Sequence, residues 1–114
     1  MNRDIHRGRL SEQIARILAE VLAFESKDPV IQAALPAVTE VELSPDGQWA
    51  TVRLQVGSDR PMAEVEEALA RDRGFLRREL AHRLKVRRVP EIRFRLEPAL
   101  PRSSLGRTTS VTRG

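Results

Sequence analysis

The chain has 114 residues, 40% of them apolar and 32% charged, with a formal net charge of +4 and no cysteine. That length suits one domain with a modest core. The lack of cysteine excludes disulfides, thiolate metal sites and cysteine nucleophiles, and it fits a reducing cytosol. No run approaches the ~18 apolar residues of a membrane span, and the opening "MNRDIHRGRL" has no apolar stretch of the kind a secretory signal needs.

Residues 10–25, "LSEQIARILAEVLAFE", predict an amphipathic helix. Leu10, Ile14, Ile17, Leu18, Val21 and Leu22 form one stripe of a 3.6-residue period. "SKDP" follows, and the residue before a proline is driven out of the α region, so the helix is expected to end by about Lys27. Residues 37–44, "AVTEVELS", alternate, with Thr39, Val41 and Leu43 expected on one face and Glu40 and Glu42 on the other. "PDGQ" supplies turn chemistry through Pro45 and Asp46-Gly47. Residues 49–56, "WATVRLQV", alternate again, with Ala50, Val52, Leu54 and Val56 inward and Trp49, Thr51, Arg53 and Gln55 outward. The two runs predict an antiparallel hairpin that sets Arg53 near Glu40 or Glu42, a cross-strand pair of ~0.2–1 kcal/mol.

A second helix is expected over 61–72, with Pro61 in its first turn and Glu64, Glu66 and Glu67 suited to the helix dipole. Gly74 marks a break or kink. A third helix over 75–85 carries Leu76, Leu80 and Leu84 at four-residue spacing. Pro90 closes the loop after it, and 91–97, "EIRFRLE", predicts a third strand with Ile92, Phe94 and Leu96 inward. The tail from residue 98 on, rich in Pro, Ser, Thr, Gly and Arg, is expected to be flexible and to order only on a partner. The predicted order is α-β-β-α-α-β. It implies a two-layer α+β domain over residues 1–97, with helices on the apolar face of a three-stranded sheet. Glu40, Glu42, Arg53, Arg93 and Arg95 fall on the polar face.

Charge is unevenly placed along this order. Residues 71–95 hold ten of the 20 Lys and Arg and three of the 16 acids, a segment charge of +7; residues 1–70 sum to −5 and residues 96–114 to +2. Arg71, Arg73, Arg77, Arg78, Arg83, Lys85, Arg87 and Arg88 cluster around Gly74, the third helix and the loop after it. Such a patch is the electrostatic footprint of a nucleic-acid partner, and counterion release makes such binding fall steeply with salt. The plainer alternative is a solvated helix face on which Glu79 offsets the arginines. Eighteen of the 20 basic residues are Arg. Arg also dominates outside the patch, so that ratio reflects a GC-rich genome more than phosphate recognition.

The α-β-β-α-α-β order is that of the type II KH fold, whose KH motif grips a nucleic-acid backbone with a GXXG loop between two helices. Here there is no GXXG; "RDRG", ending at Gly74, stands in its place. With that order, "SKDP" at Asp28-Pro29, the hairpin "VTEVELSPDGQWATVRLQV" and the block "GFLRRELAHRLKVRRVPEIRF" together resemble the ribosome-binding factor A family over roughly residues 7–97. Ser44, Asp46, Ala50 and Val52 match within the hairpin; Gly74, Phe75, Arg77, Arg87, Pro90, Glu91 and Phe94 match within the block. Two positions depart from the family's pattern. Asp72 stands where an Ala-x-Gly interruption has alanine, and Val30 stands where a basic residue often follows Asp-Pro.

The resemblance implies a non-catalytic, cytoplasmic factor that binds the 30S subunit and its 16S ribosomal RNA late in assembly. It implies support for processing of the RNA 5′ end and for growth in the cold, with no cofactor and no membrane contact, and the protein is expected to be a monomer. Its implied RNA contacts are Arg77, Lys85 and Arg87, with Gly74 setting the backbone turn. Arg71, Arg73, Arg78, Arg83 and Arg88 join them on charge alone, and Arg7 and Arg9 are weaker candidates. Asp72 is expected near the phosphate path, so that Asp72→Ala tightens RNA binding, or else to order the kink by capping the helix after it. Three alternatives stay open: a general KH-like single-stranded RNA binder, a sequence-specific DNA binder, and an adaptor whose acidic part or outer sheet face engages a ribosomal protein or assembly GTPase. An enzyme is disfavoured, because His6 and His82 lie far apart, "EVEE" has no metal-ligand spacing and no Gly-rich phosphate loop occurs. Trp49, the one Trp, is expected either to be partly covered by the tail or first helix, or to stack on a base.

Overall fold

The apolar stripe that begins at Leu10 lies on a longer helix than its periodicity marks out. The computed structural model describes residues 2–57 and 60–99. In it α1 runs over Asn2–Glu20 and passes into a π-helical turn, Val21–Glu25. Residues 2–9 contain no proline and only one glycine. Nothing in them stops a helix, but they carry no apolar stripe to announce one. Ile14, Leu18, Val21 and Leu22 are buried as the stripe requires. The wider turn closes with the Ser26 N–H on the Val21 carbonyl at 2.9 Å, five residues back.

The first helix ends before Lys27, as the proline predicts. A short helix the periodicity did not reveal, α2 (Pro29–Ala34), then starts on an Asp28 cap, whose carboxylate accepts the Val30 N–H at 2.9 Å. Pro29 takes the first position, where its missing N–H costs nothing. Leu35 ends this helix in the left-handed region, φ 47°.

β1 (Ala37–Leu43) and β2 (Trp49–Val56) form the expected antiparallel hairpin, and β3 (Glu91–Pro98) lies parallel to β2, giving the sheet order β1-β2-β3. Gly47 supplies the turn's positive φ of 73°. The Asp46 carboxylate accepts the Ser44 hydroxyl at 2.6 Å and the Gln48 N–H at 3.0 Å, and these bonds hold its pKa below the ordinary value. One expected face is wrong. Val38 pairs with Leu54 and Glu40 with Arg53, so Thr39 is the extra residue of a bulge. Val38, not Thr39, packs against the core, and the Thr39 hydroxyl donates to the Arg53 carbonyl at 3.2 Å. Arg53 does meet Glu40, at 3.6 Å, and reaches Glu97 at 3.4 Å.

The helices expected on either side of Gly74 are a single element, α3 (Met62–Arg83), about 33 Å long at 1.5 Å per residue. A mid-helix glycine costs about 1 kcal/mol. Val65, Ala68, Leu69, Leu76 and Leu80 bury one stripe that spans the glycine, at roughly 1.5–3 kcal/mol for each large side chain. The stripe outweighs the glycine. α3 stops at Leu84, whose backbone turns extended and whose N–H bonds to the Leu80 carbonyl at 2.8 Å. The core lies between α1, α2 and α3 on one side and the inward residues of the sheet on the other. The opposite sheet face carries the polar alternates. No helix among the described residues is long and apolar enough to cross a membrane. Pro98 is the last residue of β3, and the tail beyond Ala99 lies outside the described residues.

A Cβ added at Gly74 would meet nothing within 4 Å. Gly74→Ala is therefore expected to stabilise the fold by about 0.5–1 kcal/mol in urea denaturation, whereas Leu80→Ala should cost about 2–5 kcal/mol. A destabilising Gly74→Ala would show that the helix needs a break there.

Candidate nucleic-acid interface

Successive residues of a helix turn by about 100°, so a helix with one face in the core presents another to solvent. On α3 the face opposite Leu69, Leu76 and Leu80 carries Gly74, Arg77, Arg78 and Ala81. The loop of residues 84–90 folds back beside it, and Arg87, Arg88 and Val89 form the second wall of a groove of about 470 Å³. The floor is small, since Gly74 has no side chain and Ala81 only a methyl. Arg77 fastens the two walls together. Its Nη2 donates to the Val89 carbonyl at 3.0 Å and lies 3.4 Å from the Glu91 carboxylate. Arg78, Arg87 and Arg88 are exposed and form no ion pair among the described residues.

The groove thus gathers Gly74, Arg77, Arg78, Arg87 and Arg88. Arg73, also exposed, lies one helical step to the Arg77 side of Gly74, and Lys85 sits just past the helix end. Arg71 points elsewhere, to Asp28 at 3.2 Å. Arg83 is placed on another face. Its Nη2 lies 2.6 and 2.5 Å from the two Glu25 oxygens and 3.2 Å from Glu79, with Nη1 3.6 Å from Glu20. The Glu25 hydrogen bond, reinforced by the nearby carboxylates, raises the Arg83 pKa further. Arg9 is exposed on α1, while the Arg7 side chain falls outside the described residues.

Asp72 does not line this groove, and it does not cap a helix. It is most of a half-turn from Gly74 around α3, and its Oδ2 accepts the hydroxyl of Ser26, a side chain only 5% exposed, at 3.1 Å. With Glu25, Lys27, Asp28 and Phe75 it lines a separate hollow of about 440 Å³. α3 therefore divides the surface, with free guanidinium groups to one side and carboxylates to the other. The sequence signalled one part of this division, the Glu79–Arg83 spacing of four residues. Glu20 and Glu25 are too distant in the chain to announce themselves, and so is the Arg77 clamp. His82 is exposed, and among the described residues no three His, Asp or Glu side chains are grouped to hold a metal ion.

Comparison with known proteins agrees with the fold. The family model for ribosome-binding factor A matches residues 6–104. A ribosome-binding factor A from Rippkaea orientalis is 40% identical over 96 residues, covering 83% of this chain and 75% of its own. The crystal structure of ribosome-binding factor A from Thermus thermophilus superposes with a TM-score of 0.66 at 31% identity, covering 79% of this chain and 93% of that one. A Thermus thermophilus homology model, fitted into a cryo-EM map of a complex between the 30S subunit and that factor, superposes with a TM-score of 0.61 at 30% identity, covering 75% and 88% of the two chains.

The Ser26–Asp72 bond makes Asp72 a packing residue. Asp72→Ala leaves a buried hydroxyl short of one partner, and it should lower stability by about 1–3 kcal/mol in thermal or urea unfolding. No change in stability would remove Asp72 from that role.

Proposed function

The chain belongs to the ribosome-binding factor A family, and from that premise we propose that it is a non-catalytic assembly factor that binds the 30S subunit through 16S ribosomal RNA. One observation carries the placement of the contact: the groove between α3 and the loop of residues 84–90 holds four arginines over a floor of Gly74 and Ala81. Arg78, Arg87 and Arg88 are the phosphate ligands. A guanidinium presents a planar fork that takes two phosphate oxygens at once. The small floor lets the RNA backbone approach the helix closely. Arg77 shapes the groove and adds its remaining donors.

Arg73 and Lys85 extend the positive field at either end. Arg71 can join, since its pair with Asp28 leaves the arginine 57% exposed. Arg83 is assigned to the carboxylate cluster instead. The relative's homology model, fitted into a map of its complex with the 30S subunit, supports the choice of partner. Within this reading the protein acts in the cytoplasm by holding RNA in one geometry, and that would assist processing of the 16S 5′ end and assembly in the cold, when misfolded RNA helices are slow to open.

The test is co-sedimentation with purified 30S subunits, 50S subunits and 70S ribosomes at two salt concentrations. Arg87→Glu/Arg88→Glu is the informative variant, because neither residue ties the fold together as Arg77 does. Selective, salt-sensitive binding to 30S subunits is expected. The double variant should weaken it at least tenfold with thermal stability unchanged, and each phosphate ligand removed should flatten the log–log salt dependence by roughly 0.7–0.9. Binding that survives the charge reversal would sink the groove as the contact and favour an adaptor docking through its other faces.

A further inference from the structure

The groove has no aromatic side chain, so it can hold phosphates but offers no ring for a base to stack on. Such a ring is connected to it through Glu91. Trp49, 39% exposed, opens β2 on the sheet face that the helices leave uncovered. Its neighbour across the parallel ladder is Glu91, the same residue whose carboxylate meets Arg77 of the groove. Arg93, the next outward residue of β3, lays its guanidinium over the indole, with Cζ 4.3 Å from the ring centroid. Arg95 follows on the same face, exposed. The nearby Arg53 is already matched by Glu40 and Glu97, whereas neither Arg93 nor Arg95 forms an ion pair among the described residues.

The backbone beneath the indole is also held in place. The Trp49 N–H donates to the Ser44 hydroxyl at 3.0 Å, and the Trp49 carbonyl accepts the Ser44 N–H at 2.9 Å. The turn that Asp46 organises thus anchors the residue before any partner arrives. A tryptophan on an anchored backbone, carrying a guanidinium plane, is a stacking surface for nucleobases, which stack on aromatic rings and on arginine alike.

We propose that Trp49 and Arg93 form a base-stacking subsite for an unpaired nucleotide of the RNA whose backbone lies in the α3 groove, with Arg95 taking a flanking phosphate. The inference rests on the groove reading above. It adds that the preferred ligand is a helix–single-strand junction rather than a plain duplex. Continuity carries it, because Arg77 and Glu91 connect the groove to the sheet end where Trp49 sits.

Trp49 is the chain's one tryptophan, so its fluorescence reports this site alone. The full chain is titrated with three labelled RNAs: a blunt hairpin, the same hairpin with a four-nucleotide single-stranded extension, and that extension built from abasic units. The expected result is quenching of Trp49 by the base-bearing extension, with about tenfold tighter binding than to the other two. Trp49→Ala should erase that advantage and leave blunt-hairpin affinity unchanged. Arg93→Ala, which keeps the reporter, should erase the advantage and reduce the quenching. Equal affinity for all three RNAs with unmoved fluorescence, while Arg87→Glu/Arg88→Glu still abolishes binding, would overturn the subsite and leave the groove standing. Failure of every RNA to bind would overturn both. If Trp49→Ala unfolds the hairpin, the Arg93→Ala quenching and affinity results decide.

Discussion

A strand that lies parallel to its neighbour can be reached only by a connection that returns the length of the sheet. β3 is parallel to β2, and α3 is that connection. The rest of the surface follows from this requirement. The crossover must cover the apolar side of the sheet, which fixes one face of α3 in the core. The opposite face is then held outward by a rigid helix, and the chain re-enters the sheet through a loop that must pass beside that face. The groove exists because helix and loop are obliged to run past each other. Arg77 exploits this, taking the loop's Val89 carbonyl and the first carboxylate of β3 together.

The distribution of charge around α3 is organised by the same helix. Arg83 and Asp72 look toward the end of α1 and the segment that joins it to α2, where they meet Glu20, Glu25 and Ser26, while Glu79 of α3 itself also pairs with Arg83. These contacts, with Arg71 on Asp28, tie the π-helical turn and the Asp28 cap to the crossover. Carboxylates collected there are kept away from Arg78, Arg87 and Arg88, so the positive field of the groove is not cancelled by its own chain. The net charge of +4 conceals this arrangement, because it averages two faces that act separately.

Much of the architecture was legible in the sequence because periodicity registers burial. The alternation of 49–56 and 91–97 and the stripe of Leu76, Leu80 and Leu84 name residues that are inward in the structure. What periodicity did not register were features held by polar bonds or by continuity. α2 is too short to show a period and depends on the Asp28 cap. The Thr39 bulge shifts the phase of β1 by one residue, which alternation alone cannot detect. Gly74 argued for a break because propensity is local, while the stripe that carries the helix through it is not. At the site, charge clustering found the basic element, and the resemblance picked out Gly74, Arg77 and Arg87 within it. Neither could say that Arg83 also faces Glu20 and Glu25 or that Asp72 serves Ser26, since those partners come from elsewhere in the chain.

The bulge at Thr39 also bears on how the protein behaves among its own copies. Among the described residues β1 and β3 are the two edges of a three-stranded sheet, and an open edge is a template onto which a stray strand can add. β1 interrupts that template with an extra residue and two outward glutamates, Glu40 and Glu42, while β3 presents alternating Arg93, Arg95 and Glu97. A bulged and charged edge is a poor match for a second flat strand. Both edges thus work against growth of the sheet by addition of a second copy's strand.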